Sequence, residues 1–130
     1  MMVVTQAASI SDARKTSFPG NRRMRRPAEF KRVYASGRRI GNEFFTANLL
    51  ANDVTWARLG MSIAARNVRR SVDRNRVRRL IRESFRMHQL QLPSVDIIIG
   101  ARPAVVQADR AVLRESLDRI WIKVSASCAS

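Results

Sequence analysis

One cysteine, Cys128, and one histidine, His88, are all that 130 residues supply of two residue types much used in metal binding and nucleophilic catalysis. A single thiol excludes a disulfide framework within the chain and a cysteine-based zinc site. A single imidazole excludes any dyad that needs two. Cys128 lies in a Ser/Ala-rich stretch near the C-terminus, where a thiol is ordinarily incidental. His88 falls at the end of a basic helical segment, on the side of its apolar stripe, which suits packing or exposure. The five glycines are dispersed, so there is no phosphate-cradling glycine loop. There is no run of about 18 apolar residues, and hence no expected membrane span. The opening MMVVTQAASISDARK puts no positive segment ahead of a long apolar core, unlike a secretory signal. Acids are scarce as well. They are scattered singly, apart from Glu115 and Asp118, an i, i+3 pair on the surface of an expected helix. From these residues we expect no catalytic group and no metal site on the protein, and a cytoplasmic location.

What the chain has instead is positive charge. Lys+Arg number 25 against 10 Asp+Glu, a formal charge of +15 and a sequence pI of about 11.8. Such a domain repels itself unless an anion neutralises it, and nucleic acid is the commonest polyanion. Lys15, Lys31 and Lys123 are the only lysines; every other basic residue is arginine. Arginine offers a planar fork that matches phosphate oxygens and stacks on bases. A GC-rich genome accounts for the Arg/Lys ratio equally well, but not for the total charge.

The charge is concentrated in RNVRRSVDRNRVRRLIRESFR, residues 66–86, where Asp73 and Glu83 are the only acids. Val77, Leu80, Ile81 and Phe85 recur at i, i+3, i+4 and i+8, one stripe of an α-helix. At 100° per residue, Asn75, Arg78, Arg79, Arg82 and Arg86 lie opposite that stripe, with Arg74 and Arg76 on its flanks. Like charges at i, i+4 cost a helix stability. A field of guanidinium groups of this density therefore points to a polyanionic partner.

The length allows one domain. We read residues 1–20 as a flexible tail, 21–124 as a single nucleic-acid-binding domain and 125–130 as a C-terminal tail. A helix is expected from Pro27, with proline at its first position and the stripe Phe30, Val33, Tyr34; Gly37 ends it. Residues 43–51 and 56–64 read as strands, the second alternating Leu59, Met61 and Ile63 with Arg58, Gly60 and Ser62. We expect them to pair across Asn52-Asp53, both turn formers. The arginine helix follows and runs to about Gln89. Val95-Asp96-Ile97-Ile98-Ile99 is apolar enough for a strand buried on both faces. Leu113, Leu117, Ile120, Trp121 and Val124 mark a last amphipathic helix, with Asp109 as N-cap. The order α-β-β-(β)-α-β-α implies an α/β (α+β) two-layer sandwich, a small mixed sheet with helices on it.

The segment from Gly60 to Arg86 closely resembles the signature of the bacterial ribonuclease P protein family, centred here on Arg74-Asn75-Arg76 and the basic and apolar residues after it. Pro27-Ala28-Glu29-Phe30, Tyr34 and Gly37 resemble the family's opening helix. The similarity continues through Leu92-Pro93 to Trp121, spanning about residues 18 to 124. The resemblance implies a left-handed strand–helix–strand crossover, against the usual hand. It also implies a protein that assists a catalytic RNA in removing the 5′ leader of precursor tRNA. The RNA would do the hydrolysis with bound Mg2+, and the protein would hold no cofactor of its own. Partners implied are that RNA and precursor tRNA, with no membrane and no protein partner.

Carried over by position, Arg74, Asn75, Arg76, Arg78, Arg79 and Arg82 match the helix facing the catalytic RNA. Arg66, Asn67, Arg69 and Arg70 match the loop leading into it. Ala65 stands where the family commonly has a second basic residue, so one phosphate contact is missing. Phe30 and Tyr34 match aromatics lining a cleft for the leader, although both also sit at core spacing. Phe18 matches a residue ahead of the first helix that approaches the leader in some members. Asn48 replaces an aromatic that some members carry on the sheet floor. A general RNA-binding protein, an RNA chaperone or a ribosome-associated protein would explain the charge equally well, but not the register around Arg74-Asn75-Arg76. No helix-turn-helix spacing favours a DNA module. A membrane-surface helix would leave exposed the apolar face that is needed here as core.

Overall fold

A strand that is apolar on both sides needs neighbours on both edges and cover on both faces, and the fold is organised around that requirement. The computed structural model describes residues 23, 24, 26–54 and 56–129. Its sheet has the order β1 (Arg38–Gly41), β2 (Phe45–Ala51), β4 (Val95–Ala101), β3 (Arg58–Ser62). β1–β2 and β2–β4 are antiparallel, whereas β3–β4 is parallel. Residues 95–99 of β4 are all buried.

The expected pairing of β2 with β3 does not occur, because β4 lies between them. At an edge, β4 would leave a row of unpaired N–H and C=O groups beside its most apolar side chains. Asn52 consequently serves a wider junction than a hairpin turn. Its N–H donates to Ser94 O at 3.2 Å, and its Nδ2 to Trp56 O at 3.3 Å and Asp96 Oδ1 at 2.8 Å.

β3 and β4 are joined through α2 (Ser71–His88) and a short 3-10 turn, Gln89–Gln91, the crossover unit of the fold. A second 3-10 turn, Pro103–Gln107, leads from β4 to α3 (Arg110–Ala129). α2 and α3 cover one sheet face. Val77, Leu80, Ile81 and Phe85 of α2 meet Leu113, Leu117, Ile120, Trp121 and Val124 of α3 over Phe45, Leu49, Ile97 and Ile99, all buried. Phe85 and Trp121 pack edge to face at 5.8 Å, and Trp121 Nε1 donates to Ser84 Oγ at 2.7 Å. Burying each large apolar side chain contributes about 1.5–3 kcal/mol. Like-charge pairs along the outer face of α2 cost only a few tenths each, so the stripe wins.

α1 (Pro27–Ser36) covers part of the other sheet face. Glu29 Oε1 accepts from the Arg26 N–H at 3.2 Å, and Pro27 occupies the first position, which needs no donor. At the other end the Gly37 N–H donates to Val33 O at 2.7 Å. A Cβ on Gly37 would lie 2.4 Å from Val33 O and 2.5 Å from Leu49 O, so the chain turns there only with glycine. The apolar patch under α1 is small: Met24, Val33 and Ile98, with Phe30 and Leu50 against them.

A polar clamp adds to that patch. The Asp96 side chain is fully buried and accepts from Arg58 Nε at 2.8 Å, Arg58 Nη2 at 2.7 Å, Asn52 Nδ2 at 2.8 Å and Arg32 Nη2 at 3.4 Å. Arg58 Nη1 continues to Glu29 Oε2 at 2.8 Å, so sheet and α1 share one charge network. Burial alone would raise the Asp96 pKa; the hydrogen bonds from Arg58 and Asn52, and the charges of Arg58 and Arg32, outweigh it and hold the carboxyl below its usual range. No helix among the described residues is long and apolar enough to cross a membrane.

Candidate nucleic-acid interface

The expected RNA-facing residues form two groups. Arg66, Arg69, Arg70, Asn75, Arg76 and Arg79 are exposed. Asn67, Arg74, Arg78 and Arg82 are half-buried, and two of these shape the surface from within. Arg74 turns back along its own helix, its Nη1 donating to Val68 O at 3.0 Å and Arg69 O at 2.7 Å. Asn67 Nδ2 donates to Ala101 O at 3.1 Å, fixing the loop to the end of β4. Val68, fully buried, anchors the same loop in the core. The exposed guanidinium groups of Arg66, Arg69 and Arg70 thus stand on a loop held at three points.

Asp73 relieves some of the local repulsion. Its carboxylate lies 3.3 Å from Arg70 Nε and 3.8 Å from Arg76 Nη2. Asn75 Oδ1 accepts from Arg78 Nη1 at 3.3 Å, holding that side chain along the helix. The result is a cationic face whose side chains are partly held in place by Asp73 and Asn75.

A second surface lies on the sheet face that α1 covers only in part. Asn48 pairs in register with Arg39 on β1 and with Ile98 on β4, which in turn pairs with Gly60 on β3, so all four share this face. Phe30 lies directly over Gly60: a Cβ there would sit 2.7 Å from Phe30 Cζ. Phe30 is therefore wall and anchor together. Tyr34, one turn further along α1, is 50% exposed and plays little part in the core. Beyond α1 the floor continues through Thr46, Gly100 and Ser62, small or polar and at least partly exposed. It ends beside the Arg66–Arg70 loop that Asn67 ties to Ala101. Cleft and arginine face are thus contiguous. Phe18 lies outside the described residues.

Sequence reasoning missed Arg39, Thr46 and Ser62 on this floor, and the Asp96–Arg58–Glu29 clamp that seats its α1 wall. The one available signal was Asp96, an acid inside an otherwise apolar run. Among the described residues no three His, Cys, Asp or Glu gather as a metal site.

The family model for ribonuclease P matches residues 18–125, a span that includes the arginine loop, α2 and the cleft. The chain belongs to the ribonuclease P protein family. It is 42% identical over 113 residues to the ribonuclease P protein component of Thioalkalivibrio sulfidiphilus, covering 87% of this chain and 94% of that one. To the corresponding component of Methylococcus capsulatus it is 34% identical over 112 residues, covering 86% and 88%. The fold is similar to that of a solved Staphylococcus aureus RNase P protein mutant, with a TM-score of 0.76, 29% identity, and coverage of 82% and 89%. As a ribonuclease P protein the chain is the protein subunit of a ribonucleoprotein endoribonuclease that acts in tRNA processing. It works in partnership with the ribonuclease P RNA, and that RNA does the chemistry.

Proposed function

We propose that the Arg66–Arg70 loop and the outer face of α2 hold the ribonuclease P RNA, while the cleft between α1 and the open sheet takes the 5′ leader of precursor tRNA. The observation that carries this reading is the continuity of the two surfaces around the end of β4. A single strand lying on the sheet floor runs directly towards the cationic loop. Single strands bind where a basic groove is combined with rings that accept stacked bases. Tyr34 and the accessible part of Phe30 supply the rings, Arg39 and the loop arginines the charge.

Magnesium belongs with the RNA in this reading. Three of the acids are already paired with arginines: Asp73 with Arg70 and Arg76, Glu83 with Arg110, Glu115 with Arg119. The protein's role is to neutralise phosphates and hold the leader, in the cytoplasm, as a single domain whose last helix runs on to Ala129, past the boundary at 124 expected from sequence. Adding the protein to ribonuclease P RNA should accelerate leader removal at low magnesium and favour precursor over mature tRNA in binding. A rate and a preference unchanged by the protein would refute the assignment.

A further inference from the structure

On the side of α2 that faces the start of α3, away from the leader cleft, the surface opens into a hollow of about 490 Å3. This lies within the range of roughly 300–1,000 Å3 usual for small-ligand sites. Leu80 and Leu113, both buried, form its floor. Val72 stands at its lip, 59% exposed in the first turn of α2. The rim is cationic: Arg76 and Arg79 from α2, Arg110 from α3. One carboxylate, Glu83, reaches the same hollow, its Oε1 3.4 Å from Arg110 Nη2 and 3.9 Å from Arg114 Nη2.

An apolar floor ringed by guanidinium groups restricts the occupant. A free phosphate would satisfy the rim and leave the floor wet. An aliphatic or peptide side chain would cover the floor and leave the cations without counter-charge. A nucleotide does both, with its base on the floor, its phosphates at the rim and a guanidinium plane available to stack on the ring. Glu83 adds selectivity, since a carboxylate accepts from an exocyclic amino group such as cytosine N4 and repels a keto oxygen.

We propose that this hollow seats one unpaired, amino-bearing base of the partner RNA, splayed out of its stack. The proposal rests on the RNA-binding role of α2 and assigns a base-reading site to it, where the arginines alone read only phosphate.

Two measurements test it. In the first, methyl resonances of Val72, Leu80 and Leu113 are followed while the protein is titrated with cytidine 5′-monophosphate, uridine 5′-monophosphate or ribose 5-phosphate. The cytidine nucleotide should move all three, the uridine nucleotide less, and the sugar phosphate hardly at all. Glu83→Gln should erase the difference between the two nucleotides. Equal response to all three ligands would show that only phosphate binds, and would overturn the proposal. In the second, Val72→Trp fills the hollow from an exposed position, with its melting temperature as the check on folding. Affinity for ribonuclease P RNA should drop about tenfold, as expected for losing one stacked base, and the cytidine nucleotide should no longer move the Leu80 and Leu113 methyls. Unaltered affinity, or a retained nucleotide response, would overturn the site. Failure of the wild-type protein to bind the RNA would instead strike the parent reading, and the nucleotide titration still judges the hollow by itself.

Discussion

Arg74 and Arg79 lie five residues apart on the same helix and do different work. Arg74 spends its guanidinium on two loop carbonyls. Hydrogen bonds from charged groups contribute about 1.5–3 kcal/mol when well enclosed, and less at this partly exposed site. Arg74→Ala should therefore lower the melting temperature and weaken RNA binding together. Arg79→Ala should leave stability within about 0.5 kcal/mol and make the log–log salt slope of RNA binding shallower by about 0.7–0.9. Melting curves and a salt series on both variants would separate the roles; identical behaviour would show that the distinction is empty. Aromatic positions divide in a similar way. Phe30 is committed to Gly60 and the patch beneath α1, while Tyr34 is half exposed. Tyr34→Leu is the cleaner probe of the leader cleft: stability nearly unchanged, and the preference for precursor over mature tRNA reduced by about fivefold or more, as stacking of 1–3 kcal/mol per base requires. A preference that stays put in the reconstituted enzyme would remove Tyr34 from the cleft.

At the scale of elements, α1 is the least firmly seated helix, resting on a small apolar patch and the Asp96 clamp. Removing one partner of a buried charge pair costs about 3–5 kcal/mol, so Asp96→Asn should loosen α1 and degrade leader binding more than binding of the catalytic RNA. The same carboxylate sets an acid limit. Folding lowers its pKa, so the unfolded chain takes up the proton first. The stability Asp96 contributes is intact above its unfolded value of about 3.9 and disappears as pH falls through the lower folded value. Melting temperature against pH should show this acid limb in the wild type and a flatter one in Asp96→Asn; superimposable curves would exclude Asp96 as its source. The elements themselves were largely legible in the sequence, since the stripes of α2 and α3 and the run Val95–Ile99 declare their periods. The position of β4 was not. Strand order depends on which edges must be covered, and Asn52-Asp53 resembles a hairpin turn whether or not the next strand is the partner. The exposure of Arg66, Arg69, Arg70, Arg76 and Arg79 could be read from their positions, whereas the inward turn of Arg74 onto two loop carbonyls could not. The rest of the cleft floor could not, because register alone decides that Arg39, Thr46 and Ser62 share a surface with Asn48.

For the whole molecule, a charge of +15 on a domain of this size makes stability depend on the counter-ions present. Anions that bind only the folded arginine face stabilise it by RT ln(1 + [L]/Kd), about 2.7 kcal/mol at a hundredfold excess over Kd. Sulfate or phosphate should therefore raise the melting temperature above that in chloride at matched ionic strength. Equal values would mean that the guanidinium groups form no organised anion site.

The central place of β4 also sets an order of events on the ribosome. β1 and β2 can join as soon as they emerge, but β3, bridged on one edge by Arg23, must wait for the strand on its other edge, which lies beyond α2 in the chain. At roughly 5–20 residues per second, that wait is on the order of seconds. Vectorial synthesis thus delivers the polycationic segment before the scaffold that orders it. Until residue 101 is made, the nascent chain offers its arginines to any nearby RNA without the geometry that distinguishes one RNA from another.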